Sequence, residues 1–151
     1  MTVVVNTNIT PIFTQLGPYC VGATPGTLPT TSNNSITGTW SPATISTASA
    51  GSTVYTFTPT AGLCATTTTM TVVVNALPTP TITGAASACA GSTGNTYTTE
   101  AGMTGYIWTI SSGGTITGGS GTNTVTVTWI TSGAQTISVN YINGNGCTAA
   151  A

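Results

Sequence analysis

The sequence predicts an all-β chain folded as two tandem β-sandwich modules, and three observations carry that expectation. Val, Ile and Thr abound beside three Trp, five Tyr and two Phe, and these side chains suit a pleated, half-buried surface. Apolar and polar residues alternate with period two over short runs bounded by Gly, Pro and Asn, which is a strand signature. The hexapeptide MTVVVN occurs at residues 1–6 and again at 70–75, each time followed by a Pro-containing extended segment, TNITPIF or ALPTPTITG. A long internal repeat dictates architecture before any local reading does, and this one sets a module boundary within residues 75–80.

In the first module, alternation places strands at residues 9–16, 37–40, 53–59 and 66–75. In the second it places them at 79–84, 95–99, 105–111, 115–117, 122–129 and 135–141. The run TNTVTVTW at 122–129 is nearly pure alternation, with Val expected inward and Thr outward. Thr, Gly and Pro disfavour helix throughout, and short strands at this spacing read as sandwiches.

Charge excludes more than it admits. The 151 residues hold no Lys, Arg or His and one acid, Glu100. General acid–base chemistry needs groups that exchange protons near neutrality, and a Ser or Cys nucleophile needs a base beside it. Nucleic-acid binding rests on cations that replace phosphate counterions, and calcium or magnesium sites need several carboxylates. An enzyme, a nucleic-acid partner and a cofactor are therefore not expected. The apolar runs, such as Val72, Val73 and Val74, fall far short of the about twenty residues of a spanning helix, and 7% aromatics do not build the girdles of a membrane barrel. Membrane insertion is not expected either. With a net charge of −1, copies of the chain repel one another very little, which tolerates self-association.

Four cysteines fall two per module: Cys20 and Cys64, then Cys89 and Cys147. Even numbers in so polar a chain point to disulfides and an oxidising compartment. No CxxC spacing and no His accompany them, so a zinc site does not fit. Cys20–Cys64 with Cys89–Cys147 is the simplest of three connectivities; pairing across the modules would need the Pro-rich junction to fold back.

The two ends of the sequence read into one another. Writing residue 151 before residue 1 gives CTAAAMTVVVN, parallel to the internal CATTTTMTVVVN and one residue shorter. Residues 1–6, with Thr2, Val3, Val4 and Val5, are thus expected to be a terminal strand belonging to a preceding repeat. Residues 7–75 form the first module, and 76–151 a second one lacking its last strand. An exposed strand of this kind is an edge that proteins avoid leaving bare.

Of the remaining candidates, Trp40 and Trp108 are expected in the cores, and Trp129 in a core or at a module interface. Glu100 is expected to accept backbone N–H groups in its own turn. NIT at 8–10 and NNS at 33–35 match a glycosylation pattern that is short and arises by accident in a Thr-rich chain. The Thr rows at 66–69 and at 122, 124, 126 and 128 read as solvent-facing strand residues, or alternatively as a hydroxyl array for ice or polysaccharide. The Gly pairs at 113–114 and 118–119 read as hairpin turns, with no helix to make them a phosphate cradle.

SACAG at 87–91, GYIWTI at 105–110, TVTVTW at 124–129 and NGNGC at 143–147 resemble the PKD-like, immunoglobulin-like repeats of Bacteroidota surface proteins. PYCVGATPGTLPTTSNNSITGTWSP at 18–42 and STVYTFTPTAGLCA at 52–65 are similar to the immunoglobulin-like repeats that accompany them. Such repeats occur in tandem in very large secreted proteins, including gliding adhesins and other exports of the type IX system. The resemblance implies two tandem immunoglobulin-like β-sandwich modules, extracellular or cell-surface display, and a structural or adhesive role with other copies of the repeat as partners and surface glycans as a further one. A type IX sorting domain would lie elsewhere in a longer chain, and the lack of Asp leaves no calcium-binding linker to carry over. The expected function is a repeat unit of an extracellular filament or adhesin stalk; the alternative is a carbohydrate- or ice-binding module.

Overall fold

Alternation puts every second side chain of a strand on one face, and the computed structural model, which describes residues 1–149, uses that pattern throughout. The described residues form ten strands and no helix: β1 Tyr19–Cys20, β2 Gly38–Ser41, β3 Gly51–Pro59, β4 Thr68–Asn75, β5 Thr83–Gly84, β6 Asn95–Thr98, β7 Thr104–Ile110, β8 Gly114–Gly118, β9 Thr124–Trp129 and β10 Ile137–Ile142. The chain divides into two compact units, Met1–Ala76 and Leu77–Ala151.

The first unit is built on one four-stranded sheet in the order β1-β4-β3-β2. β3 and β4 form an antiparallel hairpin from Phe57 opposite Thr68 to Gly51 opposite Val74, and β1 runs parallel to the far end of β4, Tyr19 beside Val74. Alternation sends Tyr55, Phe57, Met70 and Val72 to one face, where they bury with Trp40, Ile36 and Ile45. Phe57 anchors this core between the rings of Phe13 and Trp40, at centroid distances of 4.7 and 5.2 Å; tilted and edge-on pairs of this kind add about 1 kcal/mol each beyond buried area.

The expected strand at 9–16 is a correction. Only Ile9 makes a bridge, to Ala65, because Pro11 has no N–H for a ladder and side-chain amides take over the segment's bonds. Asn34 Oδ1 accepts from the Ile12 amide at 3.1 Å, Asn34 Nδ2 donates to the Thr10 carbonyl at 2.9 Å, and Gln15 Nε2 donates to the Thr71 carbonyl at 2.8 Å. The first unit therefore has a single sheet covered by irregular chain, rather than the second sheet expected of a sandwich.

The second unit holds two sheets, β5-β6-β9-β8 and the pair β7-β10. Tyr97, Val125, Val127 and Trp129 of the larger sheet share a core with Trp108, Ile110, Ile137 and Val139 of the smaller one, the two-layer arrangement of a β-sandwich. Val125 and Val127 are fully buried, with the Thr residues between them on the opposite face. The expected strand at 79–84 shrinks to Thr83–Gly84, since Pro80 cannot donate to a neighbour. Every other expected strand is present within two residues at either end; the two-residue β1 is too short for any alternation to mark.

Two edge glycines shape this core. Gly84 lies opposite Tyr97 and Gly114 opposite Trp129, and each ring occupies the space a side chain would need. A Cβ on Gly114 would stand 2.6 Å from the Trp129 ring, and one on Gly84 would overlap the Tyr97 ring. The Trp129 indole N–H then donates to the Tyr97 hydroxyl at 2.9 Å. We expect Gly114→Ala to lower stability by about 1–3 kcal/mol through overpacking, and Gly121→Ala, where a Cβ meets nothing within 4 Å, to stay within about 0.5 kcal/mol. Thermal melts of both variants by circular dichroism check this.

Candidate functional site

A chain without basic side chains can present strand edges, hydroxyl rows, thiols and its single carboxylate. The repeated hexapeptide has two fates. As β4, Met70, Val72 and Val74 are buried and Thr71 and Val73 face outward, and the strand is paired on both sides, by β3 and β1. At residues 1–6 the same sequence forms no strand, and Val3, Val4 and Val5 are 68%, 79% and 89% exposed, with Thr2 exposed beside them.

In the second unit, β10 has one side that the described residues pair only in part. One side of β10 pairs with β7, Ile137 opposite Ile110 and Val139 opposite Trp108. On the other side the Asn143 amide donates to the Cys147 carbonyl, the Ala149 amide donates to the Tyr141 carbonyl at 3.3 Å, and Ile142 bridges Thr148. Backbone groups alternate sides along a strand, so Ile137 and Val139 point the same way as Tyr141. Among the described residues no strand pairs with them there. Asn140 reaches toward the same side, its Nδ2 donating to the Ala149 carbonyl at 3.4 Å. Its Oδ1 is buried and accepts no hydrogen bond, a rarity among buried polar atoms. The expected join of residue 151 to residue 1 involves Ala150 and Ala151, which lie outside the described residues.

The cysteines depart from the expected pairs. Cys20 and Cys147 are disulfide-bonded, while Cys64 and Cys89 are exposed free thiols. Strand geometry explains why. Cys20 sits beside Asn75 at one end of β4, and Cys64 precedes the other end, more than about 20 Å away against a bridging limit of about 7 Å between Cα atoms. Cys89 belongs to the loop whose Gly91 amide donates to the Trp129 carbonyl, at the end of β9. Cys147 follows β10, whose Tyr141 reaches Glu100 near the start of β9, so about 17 Å of strand separates them.

The indoles are inward: Trp40, Trp108 and Trp129 are 7%, 6% and 7% exposed. Each indole N–H is satisfied, by the Pro29 carbonyl, the Thr122 carbonyl and the Tyr97 hydroxyl. The outer face of the larger sheet carries Thr rows set by register, Thr83, Thr98 and Thr124 across three strands and Thr96 beside Thr126. Thr122 is not part of the row: its hydroxyl donates to the Gly119 and Thr124 carbonyls and shapes the turn. Thr66 faces Thr10, hydroxyl to hydroxyl at 3.3 Å. Among the described residues no three His, Cys, Asp or Glu side chains gather into a metal-holding group, and no helix is long and apolar enough to cross a membrane.

The expectation that Glu100 takes backbone N–H groups of its own turn is a correction: the backbone donor to its carboxylate is the distant Thr81. Its carboxylate accepts from the Thr81 amide at 3.0 Å, the Thr81 hydroxyl at 2.5 Å, the Thr99 hydroxyl at 2.6 Å and the Tyr141 hydroxyl at 3.0 Å. Its own carbonyl accepts from Tyr106 at 2.7 Å, whose ring packs edge-on against that of Tyr141. The clasp ties the segment before β5, the turn after β6 and strand β10 together. Sequence reading had no signal for Tyr141, 41 residues away. The Thr81 and Thr99 hydroxyls pull the carboxyl from the ordinary 4.5 down to about 2. Burial, then the bond to Glu100, pushes the Tyr141 phenol above 10.0. A lowered carboxylate contributes stability that is present above the ordinary carboxylate range and lost as pH falls toward about 2. Solvent screening limits the loss to about 1 kcal/mol. We expect the thermal midpoint of the chain to fall between pH 4.5 and pH 2 and that of Glu100→Gln to lack this step while lying lower at pH 7; melts across that range read both.

A comparison with protein families matches residues 75–151, just over half of the chain, to the PKD-like domain. Comparison with curated proteins and with solved structures finds no match. PKD-like domains are in general extracellular, immunoglobulin-like repeat modules and typically non-catalytic. The disulfide-bonded cysteines are consistent with that setting. With two sheets around one core in the matched stretch, this chain belongs to the PKD-like domain family.

Proposed function

We propose that this chain is a structural repeat unit of an extracellular filament or adhesin stalk, whose copies join by strand continuity, either covalently in tandem or by strand donation between subunits. The observation that carries the reading is the double fate of one hexapeptide: an integral, doubly paired strand at 70–75 and an exposed segment at 1–6, in a chain where no described strand pairs the outer side of β10 at Ile137 and Val139. Family membership supports a repeat module, and the resemblance to Bacteroidota surface repeats supports display outside the cell. A surface with one carboxylate and no cation lets like copies approach closely.

The mechanical role follows from connectivity within the first unit. The chain enters its sheet at β1 and leaves it at β4, and these neighbours run parallel. Tension on the chain therefore shears that pairing rather than unzipping it bond by bond. A glycan- or ice-directed surface would rest chiefly on the Thr rows, because all three indoles are buried.

Native material isolated from its source is expected to contain this sequence in assemblies far larger than 14.9 kDa. Denaturing mass analysis then divides the two modes of continuity, very large species for a covalent array and a single copy mass for exchanged strands. Native and denatured masses that both equal one copy would refute the repeat-unit reading.

A further inference from the structure

The geometry points to one occupant for the open side of β10: residues 1–6 of a second copy of this chain, added as an antiparallel strand with Met1, Val3 and Val5 turned into the second unit's core. The inference rests on the repeat-unit reading and specifies its joint.

The first unit shows what such a joint looks like. There the buried Tyr55 and Phe57 of β3 are flanked by MTVVVN, with Met70 opposite Tyr55 and Val74 opposite Gly51. In β10 the inward residues are Val139 and Tyr141, the latter 3% exposed. Laying Val139 on Tyr55 and Tyr141 on Phe57 puts Met1 opposite Val139 and Val3 opposite Ile137. The faces agree as well: Met70, Val72 and Val74 are the buried residues of β4 and Thr71 and Val73 the outward ones, so Met1, Val3 and Val5 bury while Thr2 and Val4 face solvent.

Three further observations favour this edge and this segment. Thr148 and Ala149 already lie along β10 in antiparallel sense, bonded at Ile142 and Tyr141, so the direction of an added strand is set. Asn140, whose Nδ2 reaches the Ala149 carbonyl, keeps its Oδ1 as a buried acceptor without a donor. The smaller sheet has two strands against four in its partner layer, which leaves Val139 and Ile137 only partly covered. The donor is also the most exposed apolar stretch of the chain, and a bare strand of three consecutive Val residues demands a partner. Backbone ladder bonds supply affinity and alternate side chains supply selectivity in strand addition of this kind.

The test uses the full chain and a synthetic peptide of residues 1–8. Light scattering over a concentration series is expected to show self-association, weakened at least about tenfold by Val3→Asp and less than about threefold by Val4→Asp, since only the inward position loses burial. Excess peptide should dissolve the assemblies and slow hydrogen exchange at the Ile137 and Val139 amides. Both substitutions lie in an exposed, unpaired segment, so folding is not at stake. Equal effects of the two variants, peptide protection elsewhere than β10, or a monomer at every concentration overturn the inference, and a monomer whose Val3–Val5 amides are protected shows that the segment closes on its own chain instead. None of these outcomes touches the repeat-unit reading, which stands or falls on the mass of native assemblies.

Discussion

Buried polar groups in this protein must be satisfied almost entirely by neutral partners, because its side chains include one carboxylate and no cation. That constraint explains the economy of its interior. Indole N–H groups end on carbonyls or a phenol, and amide side chains stand in for missing ladder strands. Hydroxyls shape the turns. Neutral bonds of this kind are each worth only about 1 kcal/mol net, but they do not weaken with salt as ion pairs do. The sole charge is accordingly surrounded: four donor groups from Thr81, Thr99 and Tyr141 meet Glu100, which converts the only ionic group into a clasp across the second unit.

Edges are the second theme. Proteins blunt exposed strands with lysine, proline or bulges, and this chain has no lysine to use. Proline takes that role at the segment 9–16 and before β5, while glycines covered by aromatic rings finish β5 and β8. β10 has a register shift between Asn140 and Ile142, where Thr148 and Ala149 already lie along it, and the stretch from Ile137 to Val139 before that shift receives none of these devices among the described residues. The strand carries no proline and no glycine, and Ile137, Val139 and Tyr141 are each more covered than Ser138 between the first two.

Much of this was legible in the chain itself. Eight strands followed from alternation and β-branched content, with the Thr–Val period uninterrupted in β9 and glycine near the strand ends elsewhere. The segment at 9–16 is similarly rich in Ile, Phe and Thr yet is not a strand; its proline and the distant Asn34 amide decide its fate, and a local pattern cannot show a partner more than twenty residues away. The cysteines failed for the same reason. Counting two per module implied pairs within modules, whereas the span of β4 and of β9 keeps those thiols apart. Glu100 was visible as singular, but its union with Tyr141 depends on how β6 and β10 are brought together. The repeated hexapeptide was the most informative feature, since it exposed a relationship between distant parts of the chain that needed no coordinates.

That repetition also has a cost in folding. β4 and residues 1–6 are chemically the same strand, so the groove beside β3 that holds Met70, Val72 and Val74 cannot tell them apart by sequence. What favours the proper tenant is tethering: β4 is joined to β3 by a short connection, and intramolecular closure of that kind acts like a local concentration in the millimolar range. A foreign copy must outcompete it from dilute solution and loses. Where copies are crowded together, as nascent chains emerging side by side would be, that advantage shrinks, and mutual strand invasion becomes the characteristic way for this molecule to misassemble.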